Sequence, residues 1–178
     1  MPIIGYFRAR TVAIFYSSDT ATYVSPAHEL VIHHRFYSRS GSPEVIRTPG
    51  YPLLLTIGLS LNRLVLVTIA LQTALSCLTV YLVYCIGWVL FDREQPALVA
   101  GTLYAIEPLS ILYSSMLLTE TLFAMLVAAW VYFLLRYLRR HNLWDLLASG
   151  VVISASAYVR PISYFVPPML AAGRLGLG

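Results

Sequence analysis

Charged residues are scarce in this sequence of 178 residues. Asp, Glu, Lys and Arg together make up 11% of the chain, whereas 58% of its residues are hydrophobic and its mean hydropathy is +0.73. Soluble domains carry roughly 25% charged residues, and a fold of this size has too little core to bury so much apolar surface. The composition therefore excludes an ordinary soluble domain and predicts an integral membrane protein.

Lysine is absent, and all twelve basic residues are arginine. We attribute this first to codon bias, although the planar guanidinium group also suits phosphate better than an ammonium group does. The arginines are scattered over predicted helix ends and do not form a stripe. This distribution argues against nucleic acid as a partner.

Cysteine is limited to Cys77 and Cys85, both inside one apolar run. Two such residues cannot build a secreted-type disulfide framework, and we expect both to be small apolar side chains. The sequence also has no CxxC or HExxH motif and no Walker-type glycine loop. No metal centre or nucleotide site is therefore indicated by a motif.

The apolar runs predict an all-α protein, a polytopic transmembrane helix bundle. Residues 1–18 hold a run too short to cross about 30 Å of hydrocarbon, and we interpret them as a truncated first transmembrane helix. Residues 19–63 are polar and predict an outer-face loop that carries short juxtamembrane helices. Residues 64–170 predict four transmembrane helices, and residues 171–178 a truncated tail.

The charges of the short loops predict the orientation of these helices. The four expected spans are Leu64–Phe91, Ala97–Leu117, Thr119–Leu138 and Leu146–Pro167. Arg93 lies in one loop and Arg139 and Arg140 in another, and two spans separate these loops. Basic loops favour the cytoplasm, so we expect a multi-pass protein of the inner or plasma membrane with residues 19–62 facing outward.

Asp19 and Arg47 are candidate functional residues of the outer loop. Asp19 follows the first apolar run, where a carboxylate at the membrane surface can serve as a general base; a helix cap or a solvated loop acid is the alternative. Arg47 opens the segment Arg47-Thr-Pro-Gly-Tyr-Pro52. An arginine there can hold a lipid phosphate, or it can extend to the headgroups.

Tyr51 and Glu120 are the next candidates. Tyr51 either covers a bound ring or belongs to the interfacial aromatic belt. Glu120 follows Thr119 at the start of a predicted helix, where Thr119 can cap the helix and an acid suits the helix dipole. The functional interpretation instead places Glu120 on the outer side, at the same cavity as Asp19.

Arg160 and Glu107 fall within predicted spans. Each charge there costs roughly 2.5–3.5 kcal/mol on insertion scales and usually faces a partner or a cavity. The two can form a structural ion pair, or Arg160 can reach the outer interface. The histidines His28, His33 and His34 could bind a metal, but we interpret them as bystanders because no Asp or Cys accompanies them.

Taken in order, these elements resemble the glycosyltransferase-C superfamily, in the branch of protein O-mannosyltransferases and aminoarabinose lipid A transferases. The matching elements are Ser18-Asp19 with Tyr23, Arg47-Thr-Pro-Gly-Tyr-Pro52, a span with Gln72, Tyr104-Ala-Ile-Glu-Pro-Leu109, Leu117-Leu-Thr-Glu-Thr-Leu122, and Gly150 followed by Val159-Arg-Pro161. They extend over nearly the whole chain.

The resemblance implies inverting transfer of a sugar, on the outer membrane face, from a polyprenyl-phosphate carrier to a lipid, glycan or protein acceptor. Asp19 matches the family's catalytic aspartate, and Arg47 a basic residue that contacts the carrier phosphate. Tyr51, Glu120 and Arg160 are the further expected donor-binding residues. Many relatives carry a second acid where this chain has Thr20. A divalent metal is the one cofactor that the resemblance allows.

The chain is also shorter than members of that superfamily. It is therefore expected to be an N-terminal fragment of a hexosyl- or pentosyltransferase, inactive on its own. The alternative function is a non-enzymatic transporter or flippase segment that uses Glu107 and Arg160 as a midplane polar pair.

Overall fold

The computed structural model describes residues 15, 19–38 and 40–165 of the chain. Within them, seven α-helices and one 3-10 helix follow one another: α1 Thr20–His33, α2 Gly50–Ser60, α3 Leu64–Phe91, α4 Glu94–Ala105, α5 Pro108–Ser114, α6 Glu120–Arg140, α7 Leu143–Ala157 and the 3-10 helix Pro161–Phe165. The described residues contain no strand beyond one isolated bridge between Tyr37 and Pro43. The all-α, membrane-type fold class is confirmed.

Two of the described helices are long and apolar enough to cross a membrane by themselves. They are α3, with 28 residues, and α6, with 21 residues. Helices α4 and α5 together form a third candidate span that is bent by 56°, while α2 and α7 are shorter apolar helices. The limits predicted for the first full span coincide with those of α3. The total of four crossings stays a prediction, and the expected truncated first helix and tail lie outside the described residues, apart from Phe15.

The bend between α4 and α5 has a local cause. Pro108 disfavours a helical backbone at Glu107, which is extended with φ −68° and ψ 117°. The Glu107 carboxylate then accepts hydrogen bonds from the backbone N–H groups of Leu109 and Ser110. The Glu107 side chain therefore caps the N-terminus of α5, where the span resumes after the break.

Helix α3 is the centre of the bundle, since it packs against α2, α4, α5 and α6. Glycine permits the closest approach between α3 and α4: a Cβ at Gly87 would lie 2.8 Å from the Cα of Ala97. Small residues at such crossings are typical of membrane helix pairs. Many large apolar side chains of α3 to α5 are exposed, as expected for surfaces that face lipid.

The end of the bundle where α3 and α6 begin is covered by α1 and α2. Tyr23 and Ala27 of α1 meet Tyr51 and Leu55 of α2 in a small buried core that also contains Leu117. Buried polar side chains, among them Thr20, Gln72 and Thr119, lie at the same end. A cluster of buried polar side chains at one end of a membrane-type bundle is a place to look for a site.

Candidate functional site

A polar cavity of about 210 Å³ opens at this end of the bundle. Its walls are Asp19, Tyr23, Ile46, Arg47, Thr48, Leu118, Thr119, Glu120, Val159, Arg160 and Pro161. They come from the start of α1, the loop before α2, the start of α6 and the segment after α7. Four residues that the sequence marks as candidates, Asp19, Arg47, Glu120 and Arg160, thus surround one space.

Arg47 and Asp19 form the first ion pair of the cavity. Nη2 of Arg47 lies 3.0 Å from Oδ1 of Asp19, and Nη1 donates to the hydroxyl of Tyr23 at 3.0 Å. The guanidinium carbon also lies 4.6 Å from the centroid of the Tyr23 ring, a distance at which a cation is attracted to the ring face. Asp19 precedes α1, but its side chain makes no capping hydrogen bond. Its carboxylate, 55% exposed, is open to a substrate.

Arg160 and Glu120 form the second ion pair. Nη2 of Arg160 donates to Oε1 of Glu120, and Nε donates to the hydroxyl of Thr119 at 3.1 Å. The side chain of Thr119 does not form the cap that the sequence allowed at the start of α6; it accepts from Arg160 and so helps to orient that side chain. The pair of Arg160 with Glu107, one of the two options that the sequence left open, is not formed, because Glu107 is bonded to the first turn of α5 and Arg160 to Glu120.

The loop with Arg47 and the segment with Arg160 are joined by direct backbone contact. The N–H of Gly50 donates to the carbonyl of Tyr158 at 2.8 Å, and the hydroxyl of Thr48 donates to the carbonyl of Val159, also at 2.8 Å. A Cβ at Gly50 would lie 2.6 Å from that Tyr158 oxygen. Only glycine fits this approach, which fixes the spacing of the two guanidinium groups.

Tyr51 lies beneath the cavity and does not line it. It is fully buried, and its ring meets the Tyr23 ring edge to face at a centroid distance of 5.3 Å. Burial raises the pKa of the Tyr51 phenol well above its ordinary value, and the charge of Glu120 adds to this rise. The phenol is therefore neutral at physiological pH. Tyr51 supports the cavity wall rather than covering a ligand.

Gln72 is a supporting residue to which the sequence assigned no role. Its side-chain amide donates to the Tyr51 hydroxyl at 3.2 Å and to the carbonyl of Leu118 at 2.8 Å. Both contacts are buried, and they join α2 to the segment that precedes α6. The signal was present, because Gln72 is the one amide in the apolar sequence of α3, and such a polar group in a span usually has a partner.

No group of three or more His, Cys, Asp or Glu side chains comes together as a metal centre within residues 15, 19–38 and 40–165. His28 and His33 belong to α1, and His34 ends it. The two acids of the cavity, Asp19 and Glu120, are each bonded to an arginine. The described residues thus supply no ready-made set of ligands for a divalent metal.

The fold and the cavity define an integral membrane protein with two arginines and two acids around a cavity at one end of its helices. A family model described as dolichyl-phosphate-mannose-protein mannosyltransferase matches residues 46–174. The chain therefore belongs to this family of membrane glycosyltransferases of the mannosyltransferase type, and the resemblance to the glycosyltransferase-C superfamily is confirmed. Searches of curated proteins and of solved structures gave no match. The match includes Arg47, Glu120 and Arg160 but begins after Asp19.

Proposed function

We propose that this cavity binds a polyprenyl-phosphate-linked sugar and transfers the sugar to a hydroxyl acceptor with inversion. The observation that carries the proposal is the placement of two arginines and two carboxylates around one space of about 210 Å³, in a chain of the mannosyltransferase family. Phosphate binding and proton transfer, the two needs of this reaction, each find a suitable side chain there.

The donor phosphate is held between Arg47 and Arg160. A guanidinium group has five N–H donors, and each of these arginines makes two side-chain hydrogen bonds to described residues. Nε of Arg47 is buried without a partner in that part of the chain. The remaining donors suit phosphate oxygens. Both ion pairs can therefore persist while the phosphate binds.

Asp19 is the proposed general base. In the transfer step the acceptor oxygen forms a bond to the anomeric carbon of the sugar, and its proton passes to the Asp19 carboxylate. The bond between that carbon and the phosphate oxygen breaks, and the phosphate keeps the electron pair. The negative charge that develops on the leaving phosphate is stabilised by Arg47 and Arg160.

The transferred group is a hexose or a pentose, the acceptor is a lipid, glycan or protein, and the cavity faces outward from the inner or plasma membrane. The basic end of α6 supports this orientation. Arg136, Arg139 and Arg140 end α6 at the opposite end of the bundle, as expected for a cytoplasmic end. At the cavity end, Arg47 and Arg160 are each bonded to an acid.

The transporter alternative depended on Glu107 and Arg160 as a polar pair within the membrane. Arg160 is bonded to Glu120, and Glu107 caps the broken span. The alternative therefore has no specific contact in its favour.

The test is Asp19→Asn, assayed as transfer of labelled mannose from polyprenyl-phosphate mannose in membranes of cells that express the protein from its complete coding sequence. Loss of a general base lowers rates by about 10²–10⁴-fold, so we expect a loss of at least about 100-fold at unchanged protein level. The matched control is Asp92→Asn, an acid that is 80% exposed and lies at the far end of α3. Transfer by Asp19→Asn at the wild-type rate would remove Asp19 from the mechanism.

A further inference from the structure

A second cavity lies at the far end of the bundle, between α3 and α6. Its volume is about 370 Å³, and its walls include Tyr84, Trp88, Tyr132, Arg136 and Arg140. Trp88 is 16 residues beyond the level of Gln72, which corresponds to about 24 Å along α3. This cavity is therefore separate from the proposed transfer site and needs an occupant of its own.

The two arginines of this cavity differ in whether they have an ion-pair partner. Arg136 is neutralised by Asp145, with 3.3 Å between Nη2 and Oδ1, and its guanidinium carbon lies 5.5 Å from the Tyr132 ring centroid. Arg140 lies one turn further and is exposed. It makes no ion pair, side-chain hydrogen bond or ring contact with the described residues. The mouth of the cavity thus carries one uncompensated positive charge.

The walls below that charge suit a lipid. They are formed by the rings of Tyr84, Trp88 and Tyr132 and by the side chain of Val89. Tyr and Trp are enriched where membrane helices meet the headgroups. The volume falls within the range of about 300–1,000 Å³ of sites for small organic ligands. Basic pockets between membrane helices bind anionic headgroups. An apolar slot under a free arginine therefore matches a molecule with an acyl chain and a phosphate.

We propose that an anionic phospholipid of the surrounding leaflet occupies this cavity, with its phosphate at Arg140 and the upper part of one acyl chain against Tyr84 and Trp88. A zwitterionic lipid fits the slot less well, because its own cation competes for the phosphate. The site would select lipids by headgroup charge at the membrane face opposite the transfer cavity.

Fluorescence of Trp88 tests the proposal, because the residue is 43% exposed and bromine on a lipid chain quenches indole emission on contact. Trp130 and Trp144 are replaced by Phe, and the protein is placed in vesicles with brominated phosphatidylglycerol or brominated phosphatidylcholine. We expect about a fivefold preference for phosphatidylglycerol, which corresponds to about 1 kcal/mol for one basic residue. Arg140→Gln should remove the preference.

Arg139→Gln is the matched control. Arg139 adjoins Arg140 but does not line the cavity, and it is engaged with Asp92 and with the carbonyl of Leu90. The preference should survive in this variant. Equal loss of the preference in both variants would mean that any positive charge near the membrane attracts anionic lipid, and it would refute a specific site at Arg140. Equal quenching by both brominated lipids in the parent protein would overturn the choice of occupant. So would displacement of the brominated lipid by polyprenyl phosphate but not by unlabelled phosphatidylglycerol.

Discussion

Gly50→Ala adds a single methyl group at the contact that joins the two halves of the candidate site. The new Cβ would lie 2.6 Å from the carbonyl oxygen of Tyr158 and 2.9 Å from Cγ2 of Val159. The Val159 methyl belongs to a buried, β-branched side chain with little freedom to turn away. The Tyr158 oxygen belongs to the backbone and cannot move by itself, so the two segments must separate.

The separation can be estimated from the contact distance. Ordinary van der Waals contact begins at 3.4 Å, so the backbones must move apart by about 0.8 Å. Overpacking of this kind costs about 1–3 kcal/mol, whereas alanine gains at most about 1 kcal/mol over glycine in a helix. With the full gain the variant should still lose up to about 2 kcal/mol, or up to roughly 8 °C in Tm for a chain of this size.

The movement should also affect ligand binding, since Arg160 follows Tyr158 and Val159 along the chain. We expect thermal unfolding in detergent to show the drop in Tm, and binding of fluorescent polyprenyl phosphate to weaken. Gly150→Ala is the control, because Gly150 lies in α7 with nothing within 4 Å of its Cβ position, so its Tm should stay the same or rise and its affinity should not change. If Gly50→Ala matched the parent in Tm and affinity, the backbone contact would have no role in fixing the site.

Two further substitutions probe the hydrogen bonds around the cavity. Gln72→Leu leaves a buried carbonyl and a buried phenol without their donor, which costs about 1–3 kcal/mol, so the Tm should fall. Gln95→Leu, at an exposed glutamine, is the control and should leave the Tm unchanged. An unchanged Tm in Gln72→Leu would exclude a supporting role for Gln72. Arg160→Lys keeps the charge but loses the planar fork, so polyprenyl phosphate should bind about tenfold more weakly, as measured by fluorescence titration. Arg63→Lys, an exposed arginine outside the cavity, serves as its control, and equal affinities for both variants would refute a specific role for Arg160.

Much of the helical architecture follows from composition and periodicity. Leu64–Phe91 is an apolar run bounded by charged residues, and a run of that length has few folded states other than a membrane helix. The interruption at Glu107-Pro108 is equally local, because proline restricts the residue before it. Both features depend only on residues that are neighbours in the sequence, so they can be predicted from a single sequence.

The partners of the charged residues could not be predicted in this way. Arg160 had two acids within plausible reach, and the sequence interpretation left Glu107 open as its partner. The choice of Glu120 depends on how α6 starts relative to the end of α7, which is a matter of tertiary packing. Tyr51 was likewise expected at the ligand, but its depth below Tyr23 follows from the packing of α1 on α2.

The contacts beneath the cavity explain how two ion pairs keep their places at the end of a lipid-facing bundle. Arg47 contacts Tyr23, Tyr23 packs on Tyr51, and Tyr51 accepts from Gln72. Gln72 in turn holds the carbonyl that precedes Thr119, the acceptor for Arg160. Exposed ion pairs are weak and their side chains mobile. A continuous series of buried and half-buried contacts instead fixes both guanidinium groups before a ligand arrives, which lowers the entropy lost on binding.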